Sequence, residues 1–273
     1  VAIRSHRTVI VATDRFGPNI QDTLQGSEIG DPPSIGRDLG IGLDRISEED
    51  LKRDQLLHFF PPNLRSISFR IPGTATGAQA KLLVPAGPAG IHIGHVVNTF
   101  TEAPVLMGLL PAAIAEARLA AQHANLAARQ PTNLDYMKTH AGHVINALDP
   151  KLITAGPGLQ YGVKRAAEGV AAHIELAAKA EGATPGITVH ATHIAMCARN
   201  TITRVDQIIA LAQRLMTSST AAEAATLVTQ MISLADQLIA GADANSDGRI
   251  TWEAGEGGLQ VADEHAKLML GVR

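Results

Sequence analysis

A mainly α protein is the fold class this sequence predicts: a helical-bundle domain with internal helical-hairpin repeats, preceded by an extended, partly β N-terminal segment. Three observations predict it. The chain changes character near residue 90, from scattered Gly and Pro with β-branched runs to long alanine-rich stretches. Short Pro- or Gly-containing links separate those stretches, which implies antiparallel helical neighbours. A pattern of histidines recurs along them at a fixed offset, as duplicated supersecondary units would produce.

The elements follow in order. Residues 1–90 form the N-terminal segment. Within it "RTVIVAT" and "RSISFRI" are rich in β-branched residues and read as strands, and "AKLLVP" is a further candidate. "SEEDLKRDQLLHFF" reads as one short helix: Ser47 is the N-cap, acids fill the first turn, and Pro61 and Pro62 stop it. The remainder is loop, an extended arm suited to packing on a protein partner. Residues 91–273 form the His-rich helical domain. "PAAIAEARLAAQHANLAARQ" starts with Pro111, a residue favoured at the first helical position, and ends before Pro131. "LDYMKTHAGHVINAL" stops before Asp149-Pro150, and "VKRAAEGVAAHIELAAKAEG" ends at a glycine. Three more helices are predicted over about 186–217, 220–241 and 252–270 from the spacing of apolar residues.

Composition narrows the function. Hydrophobic residues make up 45% of the 273 but aromatic ones only 3%, so Ala, Leu, Ile and Val fill the core, or a non-protein group helps. A net charge of −3 and a pI near 6.4 lack the basic footprint of a nucleic-acid binder. Cys197 is the only cysteine, which excludes an internal disulfide, a Cys-rich zinc site and the C-x-x-C-H attachment of haem. The apolar run "APVLMGLLPAAIA" is too short to span a membrane and carries two prolines. The sequence opens on Val1 without a signal-peptide pattern.

The histidines carry the functional signal. His123, His140 and His143 are matched, each fifty positions later, by His173, His190 and His193. The unit is H-x-x-L-A-A, a turn, then H-x-x-H-[VI]. At about 1.5 Å rise per residue, His123 and His140 stand at similar heights on the two arms of a hairpin turning near Pro131. His143, at i+3, shares the face of His140. The same reasoning groups His173 with His190 and His193 about the turn near Pro185. His92 and His95 form a third H-x-x-H pair without a preceding H-x-x-L, and "EHAKL" near the C-terminus offers His265 to complete it.

Neutral imidazole is the commonest metal ligand in proteins. Three of them from facing helices make an open site for Cu, Zn or Fe, with positions left for water or a substrate. Two on opposing helices can instead grip a haem iron, with Gly94, Gly142, Gly169, Ala171 and Ala172 leaving room for the plate. The third histidine of each set has no evident task in that arrangement. The pairs lack the glutamate of H-E-x-x-H, so zinc-protease chemistry is not indicated. Glu102, Glu116, Glu168 and Glu175 are candidates to orient imidazoles, although charges on solvated helix faces read the same way. Asn98 and Asn146, at matching places after His95 and His143, read as local hydrogen-bonding residues. "GPGLQYG" follows no strand and so does not read as a nucleotide loop, and Cys197 reads as core.

One further stretch, "DANSDGRITWEAGE" from Asp243, resembles the EF-hand calcium loop. Asp243, Asn245 and Asp247 fall at positions 1, 3 and 5, and Gly248 falls at the bend at position 6. Arg249 would offer its carbonyl at 7, and Thr251 stands at 9. Position 12 is Ala254 where the family has a bidentate glutamate, so the resemblance leaves that role to Glu253 or Glu256. It implies Ca2+ as a second kind of metal, stapling the helix that carries His265, with Trp252 packed on the turn.

The sequence therefore predicts a metal-binding helical protein for redox or metal handling with a structural calcium site, and leaves open whether it catalyses a reaction. Two alternatives stand beside it: a bis-His haem protein that transfers electrons, and a structural subunit of a larger complex whose histidines are incidental. The calcium loop and the absence of an initiator Met suggest a periplasmic or secreted location.

Overall fold

The computed structural model describes residues 81–272 and the backbone of three short strands before them. The strands are β1 (Ala2–Arg4), β2 (Val9–Ala12) and β3 (Ile67–Arg70), paired antiparallel in the order β1-β2-β3. β2 and β3 fall within the two stretches expected to form strands. The helix expected from Ser47 lies outside the described residues. The chain divides into two compact units at Ala80/Lys81. The helical unit thus begins before residue 90, because Leu82 is tied to the first helix: Leu82 N–H donates to Asn98 Oδ1 (2.8 Å) and Asn98 Nδ2 donates to Leu82 C=O (2.9 Å). "AKLLVP" is consequently irregular chain over its described residues rather than a strand.

Seven helices make up this unit: α1 (Pro88–Val97), α2 (Leu109–Ala127), α3 (Leu134–Leu148), α4 (Val163–Lys179), α5 (Pro185–Thr217), α6 (Ala221–Ala240) and α7 (Leu259–Met269). Short polar side chains fix several starts. Asn133, Thr184 and Thr220 accept hydrogen bonds from the backbone N–H of Tyr136, Ile187 and Glu223, which would otherwise have no partner in the first turn. Pro111 sits in the first turn of α2 rather than at its first residue; Leu109 and Leu110 precede it, and there too a proline costs no helical hydrogen bond.

α5 is the axis of the bundle. At 33 residues it spans about 50 Å and packs against α3, α4, α6 and α7. α2 forms a second line of packing against α3, α4 and α6. The core confirms the reading of composition. Ala112, Ala113, Ala117, Ala120 and Ala124 line α2 fully buried, and Leu, Ile and Val fill the rest. Small faces let the helices approach closely. A β-carbon on Gly169 of α4 would come within 3.0 Å of Leu109 of α2. Gly169 is therefore a point of helix contact, not the wall of a slot.

The loop between α3 and α4 closes over a buried acid. Glu116, fully buried on α2, accepts hydrogen bonds at Oε1 from the N–H groups of Tyr161 and Gly162 (3.1 Å each), while Oε2 is buried without a hydrogen-bond partner. Desolvation raises the Glu116 pKa above its ordinary 4.5, against the opposing pull of the N–H groups of Gly162, Tyr161 and Leu159. The folded protein thus holds this proton more tightly than the unfolded chain. Its contribution to stability is present below the ordinary pKa and is lost as pH rises through the folded value. Glu116→Gln should remove that slope. In urea denaturation at a series of pH values, the wild type should lose stability relative to the variant as pH rises from about 4.5; a constant difference would show that the fold leaves the Glu116 pKa unshifted.

A candidate metal centre in three copies

Each H-x-x-H pair lies on one face of a helix, and each is met by one histidine from another helix. His92 and His95 on α1 face His173 on α4. His140 and His143 on α3 face His123 on α2. His190 and His193 on α5 face His265 on α7. In every trio the single histidine is the centre. His173 Nδ1 lies 3.1 Å from His92 Nδ1 and 3.3 Å from His95 Nδ1. His123 Nδ1 lies 2.9 Å from His140 Nδ1 and 3.2 Å from His143 Nδ1. His265 Nδ1 lies 3.0 Å from His190 Nδ1 and 3.4 Å from His193 Nδ1. The first histidine of each pair is always the nearer.

The rings repeat as well. The two rings of each H-x-x-H pair are nearly perpendicular, at 86°, 87° and 89°. The central ring is tilted from the first by 40°, 32° and 40°. Among the described residues these trios are the groups of three or more His, Cys, Asp or Glu whose donor atoms all lie within 4.8 Å of one another.

The separations have a chemical meaning. A metal bound at about 2.0–2.1 Å places imidazole nitrogens about 2.9 Å apart at a right angle and about 3.3–3.4 Å apart at the tetrahedral angle. The six measured distances fall in that interval. A ring nitrogen offers either a proton or a lone pair, so the contacts of each central nitrogen with its two neighbours depend on which rings carry the proton at Nδ1. The environment favours the neutral form of four of the imidazoles. Burial, followed by the neighbouring histidines, lowers the pKa of His173, and His95 and His193 shift the same way for the same reasons. His265 is lowered to about 4, by desolvation first and then by His193 and His190, with Glu264 opposing.

One trio formed as the sequence predicts, and two exchanged their closing residue. His173 does not join His190 and His193 across the Pro185 turn, and His265 does not join His92 and His95. His173 closes the α1 pair and His265 closes the α5 pair. Height along a hairpin can be read from distance to the turn, but the direction a residue faces depends on all its neighbours. α4 buries Val163, Ala166, Ala167, Val170, Ile174 and Ala177, and His173 lies at the edge of that stripe that meets α1.

The supporting residues are mostly not those expected. Glu102 pairs with Arg165 at 2.7 Å and Glu175 pairs with Arg199, both at the surface. Glu116 holds a loop, and no contact ties Glu168 to a trio. Asn146 is local, as expected: it donates to Ile153 C=O (2.8 Å) and accepts from Gly158 N–H (3.3 Å), as Asn98 binds Leu82. Cys197 is buried in the core, its thiol is pushed up to about 12 by desolvation, and it belongs to none of the trios.

Sequence reasoning missed the aromatic walls. Phe, Tyr and Trp number four between residues 81 and 272, and three of them abut a trio. Phe100 packs edge-on to His95 and His173 at 5.5 and 5.2 Å between ring centroids. Tyr136 lies 4.5 Å from His140, and Trp252 stacks on His193 at 4.1 Å and 14°. Their scarcity in so long a helical stretch was the available signal.

The acidic loop between α6 and α7 is wound on itself. Asp243 accepts from the N–H groups of Asp247 and Gly248 (3.1 and 2.9 Å), Asn245 from Asp247 N–H (2.9 Å), and Asp247 from Arg249 N–H (2.9 Å). Gly248 takes a left-handed φ of 84°. The exit helix starts at Leu259, not near 252, because the chain first returns to pair Gly241 with Gly257. Glu253 is exposed. Glu256 is 1% exposed and turned toward Thr251, whose N–H and Oγ1 donate to Glu256 Oε2 at 2.8 and 2.7 Å. Glu256 Oε1 is buried without a hydrogen-bond partner. The loop carboxylates do not converge as closely as the trios do.

Trp252 is the only tryptophan of the chain and touches only the third trio. Cu2+ entering that trio should therefore quench most of the tryptophan emission. His265→Ala should abolish the saturable quench, and His123→Ala should leave it. Equal quenching in both variants would place the copper elsewhere.

Compared with protein-family models, with curated proteins and with solved structures, the chain matches none, so its function has to be argued from the chemistry of the trios.

Proposed function

We propose that this chain binds three transition-metal ions, one in each histidine trio, and serves metal handling or redox exchange rather than a dedicated catalytic reaction. The observation that carries the reading is the repetition of one Nδ1 geometry on three different helix pairs. A histidine retained for packing alone has no reason to meet two others at such similar distances each time. All-nitrogen donor sets suit Cu, Zn and Fe, and three ligands leave each ion open to water or to an incoming ligand. Three near-identical sites multiply capacity more than they diversify chemistry, which favours handling over catalysis. Eight of the nine imidazoles are partly exposed, so an ion need not cross the core to reach them.

Haem fits less well. Two axial imidazoles must stand on opposite faces of a plate, whereas here three nitrogens meet within 3.4 Å around each centre. A β-carbon on Gly94 or Gly142 would meet Val84 or Ile153 at 4.0 or 3.9 Å, so these glycines face protein and not a plate-sized gap.

The loop at 243–256 adds a calcium site. Its support is Glu256, whose buried and unpartnered Oε1 replaces the missing acid at Ala254. Calcium holds oxygens at about 2.3–2.6 Å, so ligands across the ion stand up to about 5 Å apart and a looser cage than the trios is appropriate. Such a site agrees with a periplasmic or secreted location, where calcium is plentiful.

Elemental analysis of the full chain after loading with Zn2+ or Cu2+ and desalting tests the proposal. Three equivalents per chain are expected. Alanine at His123, His173 or His265 should each remove one, weakening that site on the order of 100-fold or more. Binding of no transition metal, or stoichiometry unchanged by all three substitutions, would leave the histidines incidental and favour a structural subunit whose N-terminal segment binds a protein partner.

A further inference from the structure

The third trio differs from the other two in how it is closed. Its central ligand, His265, lies on the short terminal helix α7, which reaches the bundle through the 241–258 loop. That loop also supplies Trp252, stacked on His193 of the same trio. Its far end is fastened to α5, the helix that carries His190 and His193. Asn200 Nδ2 donates to Glu253 C=O (2.8 Å), and its Oδ1 accepts from Gly255 N–H (2.8 Å). Arg204, buried, donates to the carbonyls of Gly255, Glu256 and Gly257 at 2.6, 2.6 and 3.2 Å. Between these anchors, residues 243–250 are exposed and held by turns of their own. The link between that outer turn and the anchored part is Thr251 bound to Glu256, next in sequence to Trp252.

Glu256 is the weak point of this link. One oxygen is satisfied by Thr251, while the other is buried without a hydrogen-bond partner, an arrangement that costs free energy until a cation or donor meets it. We infer that a hard divalent cation bound by Asp243, Asn245, Asp247 and Glu256 sets the metal affinity of the third trio alone, by fixing Trp252 and the start of α7 against α5. The inference rests on the proposed metal binding by the trios. The first two trios are built on α1 with α4 and on α2 with α3, and neither takes a histidine from α5 or α7, the helices that the loop fastens together. Linkage requires the effect to be reciprocal: filling the third trio must tighten the loop's hold on its cation by the same factor.

The test uses the full chain, freed of metals on a chelating resin, with Cu2+ as the probe and Ca2+ present or absent. Trp252 emission reads the third trio, and the His265→Ala variant reads the other two by copper equilibrium dialysis. Calcium binding is measured separately with radioactive Ca2+. Calcium should tighten copper at the third trio by about 5- to 150-fold, the usual range for coupled sites, and leave the other two within twofold. Glu256→Gln, which keeps an acceptor for Thr251, and Asp243→Asn, at an exposed residue, should each abolish the effect. One bound calcium with no change in copper affinity would overturn the coupling and leave both sites standing. Equal tightening of all three trios would overturn its route through the loop. Absence of calcium binding would overturn the cation site and the inference with it, and absence of copper from every trio would overturn the proposed function itself.

Discussion

One imidazole nitrogen held about 3 Å from two others, three times over, is the constraint on which the rest of this structure depends. Between nitrogens that close, a hydrogen bond forms only where one carries the proton and the other the lone pair. Burial and mutual repulsion disfavour charging several of them, as the lowered pKa values of His173 and His265 express. The proposed shared cation would satisfy all three lone pairs at once. The helices accordingly do two jobs: they pack an alanine-rich core, and they present each H-x-x-H pair to one histidine of a neighbour. Small side chains make both possible, since the close approach of α2 and α4 at Gly169 leaves no room for a β-carbon without displacement of Leu109.

The three trios reach one geometry by different covalent routes. The second is local, formed within the α2–α3 hairpin. The first joins helices 81 residues apart in its widest pair, and the third spans 75. Convergence through such different connections separates the trios from a duplication that merely copied its histidines. It also grades their independence. The second trio draws its three histidines from one hairpin, whereas the third needs α7 docked, and α7 is fastened through Asn200, Arg204 and the acidic loop.

The sequence made legible what depends on local spacing. The helices from Leu134 to Leu148 and from Pro185 to Thr217 end where proline, capping residues and apolar periodicity place their limits. All nine histidines of the trios were legible through their spacing. What could not be read was partnership at long range. The distance of His173 from the Pro185 turn fixes its height but not whether it faces α1 or α5, because that direction follows from the whole buried stripe of α4. The start of α7 was hidden for a similar reason. Trp252 to Gly258 carry no helix-breaking proline, and they are held out of the helix by long-range contacts, the pairing of Gly257 with Gly241 and the bonds from Asn200 and Arg204. The walls formed by Phe100, Tyr136 and Trp252 were legible only as a shortage of other aromatics.

The central claim is that the Nδ1 atoms of each trio share one ion. Its most direct test is a crystal of the full chain grown with Zn2+, with anomalous scattering recorded on either side of the zinc edge. The account predicts three anomalous peaks, each at about 2.0–2.1 Å from the three Nδ1 atoms of one trio. Zinc bound only through Nε2 atoms or at surface carboxylates, with the trios unchanged and without a peak, would contradict it.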